Sequence, residues 1–438
     1  MKQMSFAGGI HPPDNKEWSA HKPIEVCPLP GEFVVPLSQH IGAPATACVA
    51  VGDLVARGQV IGEARGFVSV PVHAPTSGEV VAVEPRPHPS GNPMSAVVIR
   101  ADGEDRWCDL PKPTPLEKLE PEDILEQIRL AGVVGMGGAT FPAHVKLSPP
   151  PEKPIDTLIF NGVECEPYLT ADHRLMLEET DRLLEGVAVV RRIFPEARLV
   201  IGVEANKPDA IALLQQRCAD SPVEVAPLAV KYPQGAEKQL IKAVTGREVP
   251  SGGLPMDVGV VVQNVGTVVA IADAVLRNQP LTERVCTVTG SAVTEAKNLC
   301  IRIGMPLSHL VEVCGGLDVD PGKIILGGPM MGMAQVGFDV PTTRGTSGLL
   351  LLPEEELALQ DAGPCIRCAR CVQGCPAGLL PTTIAAYGRL DRLDEAEQYR
   401  ALDCIECGCC SYSCPAVIPL VQTIRYAKAA ILARKRSG

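Results

Sequence analysis

Two cysteine runs near the end of this 438-residue chain restrict its fold more than any other feature. One holds Cys365, Cys368, Cys371 and Cys375 before Pro376; the other holds Cys404, Cys407, Cys410 and Cys414 before Pro415. Both are spaced C-x2-C-x2-C-x3-C-P. Three thiolates on one tight loop face a single iron–sulfur cube, and the fourth leads away toward a second cube. The proline lacks an N–H and turns the chain aside. One such run would also fit zinc or a redox dithiol. Two in tandem point to two [4Fe–4S] clusters with these eight cysteines as ligands. Cys409 is extra to the pattern and reads as a bystander thiol. Clusters of this kind move single electrons and make no bonds, so no protein nucleophile is expected. The remaining sequence must say where electrons enter and leave.

Composition narrows the setting. The length allows three or four domains, and 46% hydrophobic residues imply well-buried cores. Glycine and proline, 41 of each, predict many turns and close backbone approaches. A net charge of -11 argues against nucleic acid as a partner. Seventeen cysteines, eight of them in the two runs, imply a reducing compartment. Met1-Lys2-Gln3-Met4 is followed by no apolar segment of the kind a secretory leader needs. The longest apolar stretch, Val258 to Leu276, is interrupted by Gln263, Asn264 and Asp273 and reads as strand, loop and helix.

The arm Phe6–Pro13 is irregular, and His11 and His21 lack ligand spacing. From Ile24 to about Arg100 short β-runs alternate with turns. The words Val51–Gly62 and Val72–Val80 resemble the barrel-sandwich hybrid of lipoyl and biotinyl domains. Glu63–Val72, where the modified hairpin would lie, contains no lysine, so a docking or spacer module is expected. Lys112–Glu122 is a linker, and Pro121–Leu130 is predicted helical with Ile124, Leu125 and Ile128 on one face. A glycine loop follows, Gly132 to Lys146, whose glycines would let backbone N–H groups approach a phosphate or a flat ring. Next comes a βαβ series: strand Thr157–Val163, helix Leu175–Ile193, strand Arg198–Glu204, helix Pro208–Cys218, strand Val223–Val230, helix Gly235–Thr245. This predicts a parallel sheet with helices on its faces and a ligand beyond the carboxyl ends of its strands. Polar words fall at those ends: Asn161–Arg174, Tyr232–Lys238 with Gly235 opening a helix, and Gln263–Thr267.

These words carry a resemblance. The glycine loop, Asn161–Pro167 and the Gln263-Asn264 pair resemble the FMN- and NADH-binding fold of the flavoprotein subunit of respiratory complex I, over about Pro121 to Glu283. The likeness is closer to the C subunit of the Rnf (Rsx) electron-transport complex and covers nearly the whole chain. It rests on Phe6–Pro13, Gly135–Lys146, Asn161–Pro167, Tyr232–Lys238, Gly327–Gly332 and both cysteine runs. The resemblance implies Gly135, Gly137, Gly138, Ala139, Lys146, Asn161, Glu164, Gly235, Glu237, Gln263 and Asn264 around FMN. It places Phe141 near the nicotinamide of NAD(H) and Glu166 near the dinucleotide. Met136 stands where the complex I flavoprotein has arginine, Thr140 where it has glycine, and Pro149 where a second aromatic is expected.

The expected architecture is multidomain α/β and β. Residues 1–111 form the arm and a barrel-sandwich hybrid, and 121–283 a Rossmann-like FMN/NADH-binding α/β domain. Residues 284–345 form a β-grasp SLBB module, and 355–438 a ferredoxin-like domain with the two clusters. Met330, Met331 and Met333 are expected to pack, Leu349–Leu352 to form a buried strand, Leu380–Tyr399 and Pro419–Arg436 to be helical. A hydride donor gives two electrons and each cluster accepts one, so the expected order is NADH, FMN, first cluster, second cluster, partner. Implied partners are a ferredoxin-like B subunit and membrane D and G subunits, at the cytoplasmic face of a bacterial or archaeal membrane. A soluble flavin–iron–sulfur reductase such as a cobalamin reductase, a non-catalytic electron-wiring subunit and a zinc scaffold remain as rival readings.

Overall fold

The computed structural model describes residues 4–357 and 361–437; residues 1–3, 358–360 and 438, inside the expected first and last domains, lie outside it. The amino-terminal arm is tied down along its length. Met4 bridges Leu228, Ile10 bridges Tyr232, and β1 (Ile24–Val26) pairs with Asn298–Cys300 far along the chain.

The strands β2 (Glu32–Pro36), β3 (Thr46–Ala47), β4 (Leu54–Val55), β5 (Val60–Glu63), β6 (Val72–His73), β7 (Gly78–Arg86) and β8 (Met94–Ala101) form two small antiparallel sheets, β2-β8-β7-β4 and β3-β5-β6. Alternation along β2 sends Phe33 and Val35 into the core. The segment between β5 and β6 exposes Phe67, whose ring meets the edge of His144 from the glycine loop.

Helix α1 (Pro121–Leu130) buries Ile124 and Ile128 and is capped by Asp123, which accepts from the Glu120 N–H at 3.1 Å. The single turn α2 (Ala143–Lys146) closes the glycine loop. The α/β domain then runs β9 (Thr157–Gly162), α3 (Ala171–Glu178), α4 (Thr180–Ile193), β10 (Arg198–Glu204), α5 (Pro208–Arg217), β11 (Val223–Leu228), α6 (Glu237–Thr245), β12 (Val260–Asn264) and α7 (Val265–Leu276). Its sheet is wholly parallel, ordered β11-β10-β9-β12. Successive strands step one way from β9 and then return to its other side. The crevice between the carboxyl ends of β9 and β12 is therefore the topological switch point, where such sheets take ligands.

Next come β13 (Glu283–Thr289), β14 (Lys297–Arg302), α8 (Leu307–Val313), β15 (Pro321–Leu326), β16 (Met333–Gln335) and β17 (Gly348–Pro353). The sheet is ordered β1-β14-β13-β17-β15-β16, so it reaches beyond 284–345 at both ends. Leu349, Leu350 and Leu351 of β17 are fully buried, as a central strand requires. The barrel and this sheet share one core, in which Phe33, Ile61 and Val80 meet Val288, Leu299 and Leu351. Of the three methionines, only Met330 packs; Met331 and Met333 are exposed, a correction to the sequence expectation.

The C-terminal domain comprises α9 (Arg370–Gln373), α10 (Pro381–Arg389), α11 (Leu393–Gln398), α12 (Cys409–Tyr412) and α13 (Leu420–Ser437). The helix expected over Leu380–Tyr399 is two, broken where Asp391 takes a φ of 52°. In the basic tip of α13, Arg434 pairs with Asp394 at 2.6 Å and Lys435 with Glu397. Among the described residues no helix is long and apolar enough to cross a membrane.

Candidate functional site

The two cysteine runs fold alike. Arg367 and Glu406, just before the second cysteine of each, have φ of 57° and 59°; Ala369 and Gly408, just after it, have 62° and 77°. In each run two left-handed residues flank the second cysteine and fold the loop tightly around it. Three of those four residues are not glycine, so the chain accepts local strain to make that shape. The Glu406 N–H donates to Cys404 Sγ and the Leu379 N–H to Cys375 Sγ, both at 3.4 Å.

The thiols surround two cavities. Cys365, Cys368, Cys371 and Cys414 line an outer one. Cys404, Cys407, Cys410 and Cys375 line an inner one. Each run thus lends its fourth cysteine to the other cavity. Four thiols around each space, with the fourth crossing over from the other run, are the donor set a cubic cluster takes. Burial pushes the Cys404 thiol up to about 11 and Cys410 up to about 12, so loading the inner cavity must displace protons. Cys409 lies on the rim of the inner cavity and packs with Ile10 and Tyr232.

At the switch point, Asn161 of β9 and Asn264 of β12 are register partners. Asn264 caps α7: its Oδ1 accepts from the Gly266 and Thr267 N–H groups, and its Nδ2 donates to Asp172 at 2.7 Å. Burial, then the Glu164 charge, pushes Asp172 up to about 7. The glycine loop lies on this helix start. The Met136 N–H donates to Thr267 Oγ1 at 2.8 Å, and a Cβ on Gly137 would sit 3.1 Å from that of Asn264. Gly137, Gly138 and Ala139 are exposed, and among the described residues their amides find no partner. Gly135 and Phe141 close the loop through the Gly135 N–H and Phe141 carbonyl at 2.9 Å.

A second group forms beside it. Lys146 pairs with Glu237, and Asn161 donates to the Gly235 carbonyl at 2.9 Å. Gly235 does not open a helix; α6 starts at Glu237 with Ala236 as its cap. The position needs glycine because a Cβ would lie 2.2 Å from the Val163 carbonyl. Gln234 is fully buried with neither amide atom partnered, and Gln263 has an unpartnered buried Nε2. Buried amide atoms left open beside a cradle of exposed N–H groups fit a ligand with a polar ring edge and a phosphate. Glu164 serves the framework, accepting from the Asp172 N–H at 2.9 Å.

Glu166 meets the loop between β15 and β16. Its carboxylate accepts from the Met330 and Met331 N–H groups at 3.1 and 2.9 Å, and Tyr232 Oη lies 3.5 Å away. Burial pushes it up to about 7. Lys16 of the arm donates to the Glu166 carbonyl at 2.9 Å, and Tyr232 Oη to the Cys407 carbonyl at 2.8 Å. Gln239 reaches the Pro376 carbonyl at 3.3 Å, and the Gly9 N–H that of Gly374 at 3.1 Å. The arm, the SLBB loop and the α/β domain thus converge on the inner cavity. Thr267, Asp172 and Tyr232 lay in words the sequence singled out, without roles; nothing local marked Lys16.

Four family models match: the RnfC barrel sandwich hybrid domain over residues 4–104, the Nuo51 FMN-binding domain over 128–273, the SLBB domain over 285–334 and the 4Fe-4S dicluster domain over 357–415. The chain is 49% identical to the C subunit of the proton-translocating ferredoxin:NAD(+) oxidoreductase complex of Clostridium ljungdahlii, over 97% of this chain and 93% of that one. It is also 49% identical to the C subunit of the Na(+)-translocating ferredoxin:NAD(+) oxidoreductase complex of Acetobacterium woodii, over 100% and 99%. A solved NAD+-reducing [NiFe]-hydrogenase in the H2-reduced state is 20% identical with a TM-score of 0.48, covering 74% of this chain and 67% of that one.

Proposed function

We propose an electron route through this chain, which belongs to the family of C subunits of ion-translocating ferredoxin:NAD(+) oxidoreductase (Rnf) complexes. It is an electron-transfer subunit with an FMN-binding domain and a [4Fe–4S] dicluster domain, and NAD(H) is the nicotinamide substrate of its complex. Bound FMN supplies the exchange between a two-electron hydride and single electrons.

In our reading the exposed amides of Gly137, Gly138 and Ala139 take the flavin phosphate, with Lys146 sharing its charge between that phosphate and Glu237. Gly135, Asn161, Gly235, Gln263 and Asn264 shape the crevice, and the open amide of Gln263 meets the ring edge. Phe141, at the mouth of the loop, offers an apolar face to the nicotinamide. Cys375, Cys404, Cys407 and Cys410 hold the inner cluster; Cys365, Cys368, Cys371 and Cys414 hold the outer one.

One observation carries the order. Tyr232 of the α/β domain donates to the Cys407 carbonyl, whereas Cys365 and Cys368 face solvent. Electrons therefore exchange between flavin, inner cluster, outer cluster and partner. The cluster held mainly by the second run comes first, the reverse of chain order. We place the ferredoxin-like B subunit at the outer rim and the chain peripherally on the cytoplasmic face of a bacterial or archaeal membrane, held with the D and G subunits.

Anaerobic titration of the purified chain with NADH, followed by optical and paramagnetic spectra, tests this. Flavin bleaching together with signals from two reduced clusters is expected. A colourless sample, or one left unbleached by NADH, would end the reading.

A further inference from the structure

Arg284 lies on β13, outside the glycine loop and the parallel sheet, yet it is only 6% exposed and forms no ion pair among the described residues. Its guanidinium is spent on carbonyls. Nη1 and Nη2 both donate to the Met136 carbonyl at 3.4 Å, Nη1 also to the Arg344 carbonyl, and Nε to the Val285 carbonyl at 3.2 Å. No carboxylate bonds to it; the carboxylic acid that acts on it is Asp172, itself pushed up to about 7, so a cation this deeply buried still favours a further anion nearby.

The peptide unit joining Met136 to Gly137 gives that cation a direction. In a planar trans peptide the C=O of one residue and the N–H of the next point opposite ways. Drawing the Met136 oxygen inward to Arg284 turns the Gly137 N–H outward, into the open mouth of the glycine loop. A cation on the carbonyl also polarises that N–H, making it a better donor.

We infer that Arg284 is a positioning residue for the flavin phosphate: it aims the Gly137 amide and supplies, from beneath the loop, charge that offsets the phosphate. This rests on the reading that the loop holds FMN by its phosphate.

The test uses the full chain with both clusters loaded and flavin removed, titrated with FMN and, in parallel, with riboflavin, which lacks the phosphate. Arg284→Met is expected to weaken FMN roughly tenfold or more, the scale of one hydrogen bond to a charged group, with riboflavin changed less than about threefold. Equal weakening of both flavins would mean a merely structural role and overturn the inference, as would unchanged FMN binding. Arg284→Lys keeps the charge but loses the planar fork that spans the Met136, Arg344 and Val285 carbonyls, and is expected to weaken FMN by less than the methionine variant. If the methionine variant does not fold, the lysine variant decides: FMN weakened several-fold with riboflavin unchanged supports the inference, and any other pattern overturns it. A wild-type chain with no preference for FMN over riboflavin would instead defeat the underlying reading of the loop.

Discussion

The inner and outer thiol cavities share one spacing and one backbone shape but not one environment. The inner is walled by Pro376, Ala377, Leu379, Ile405, Val421 and Ile424, with Cys407 and Cys410 each 7% exposed. The outer opens past Cys365, Cys368 and Ile366, the last 67% exposed. Placing extra negative charge on a cluster costs more in an apolar, closed site than beside water. Identical motifs are thus expected to differ in potential because of what surrounds them. The same asymmetry separates a site facing the flavin crevice from one facing a partner.

The largest expected effect tests whether the pairing crosses between the runs. Cys375→Ser, although in the first run, should destroy the inner cluster, and Cys414→Ser, in the second, the outer one. Iron should fall in either case from near eight to about four per chain. Redox titration followed by paramagnetic spectra should show Cys414→Ser losing the wave of higher potential. Loss of the higher wave in Cys375→Ser instead would reverse the comparison.

Removing the flavin should leave both cavities intact. Lys146→Ala deletes the cation of the Lys146–Glu237 pair, and stoichiometric FMN should be lost while iron stays near eight. NADH should then reduce neither cluster, while dithionite reduces both. Retained stoichiometric FMN would refute the placement of Lys146.

Local signals in the sequence were read well and long-range pairings were not. Arg198–Glu204 and Pro121–Leu130 follow from periodicity and flanking prolines, and the structure has those bounds. The helix expected over Leu175–Ile193 is two helices because the Thr180 hydroxyl donates to the Met176 carbonyl at 2.6 Å where they meet. No window of sequence could show that β1 of the arm would extend a sheet centred on β17, since strand partners distant in the chain leave no local trace. Gly235 was misread for a related reason: its requirement comes from Val163, just past the end of β9 and far away in the chain. At the site, glycines and polar words at strand ends were legible. Buried supports such as Arg284 and Lys16 were not, because alone each looks like a surface charge.

Smaller effects probe the contact that makes the inner cavity inner. Tyr232→Phe removes the donor to the Cys407 carbonyl and leaves that oxygen buried without a partner. Unfolding of the cluster domain should ease by about 1–2 kcal/mol, with both clusters retained. Hydrogen exchange should quicken around Cys407 and stay unchanged around Cys368. Equal quickening at both would show that the seam does not favour the inner side.

Glu166, on the same seam, should make stability depend on pH in a way the outer cavity does not. Burial raises its carboxyl from 4.5 to about 7, so between those values the folded chain keeps a proton that the unfolded chain has released. Unfolding then releases a proton, and stability falls as pH rises through that window before levelling above it. Asp172, also pushed up to about 7, acts with the same sign and remains in a Glu166→Gln variant. Glutamine resembles the protonated acid, so the two proteins should unfold at nearly the same denaturant concentration at pH 5. At pH 8 the variant should be the more stable, by on the order of 1 kcal/mol. A difference of the same size at both pH values would mean that the Met330 and Met331 amides, and not the buried charge, set the contribution of this residue.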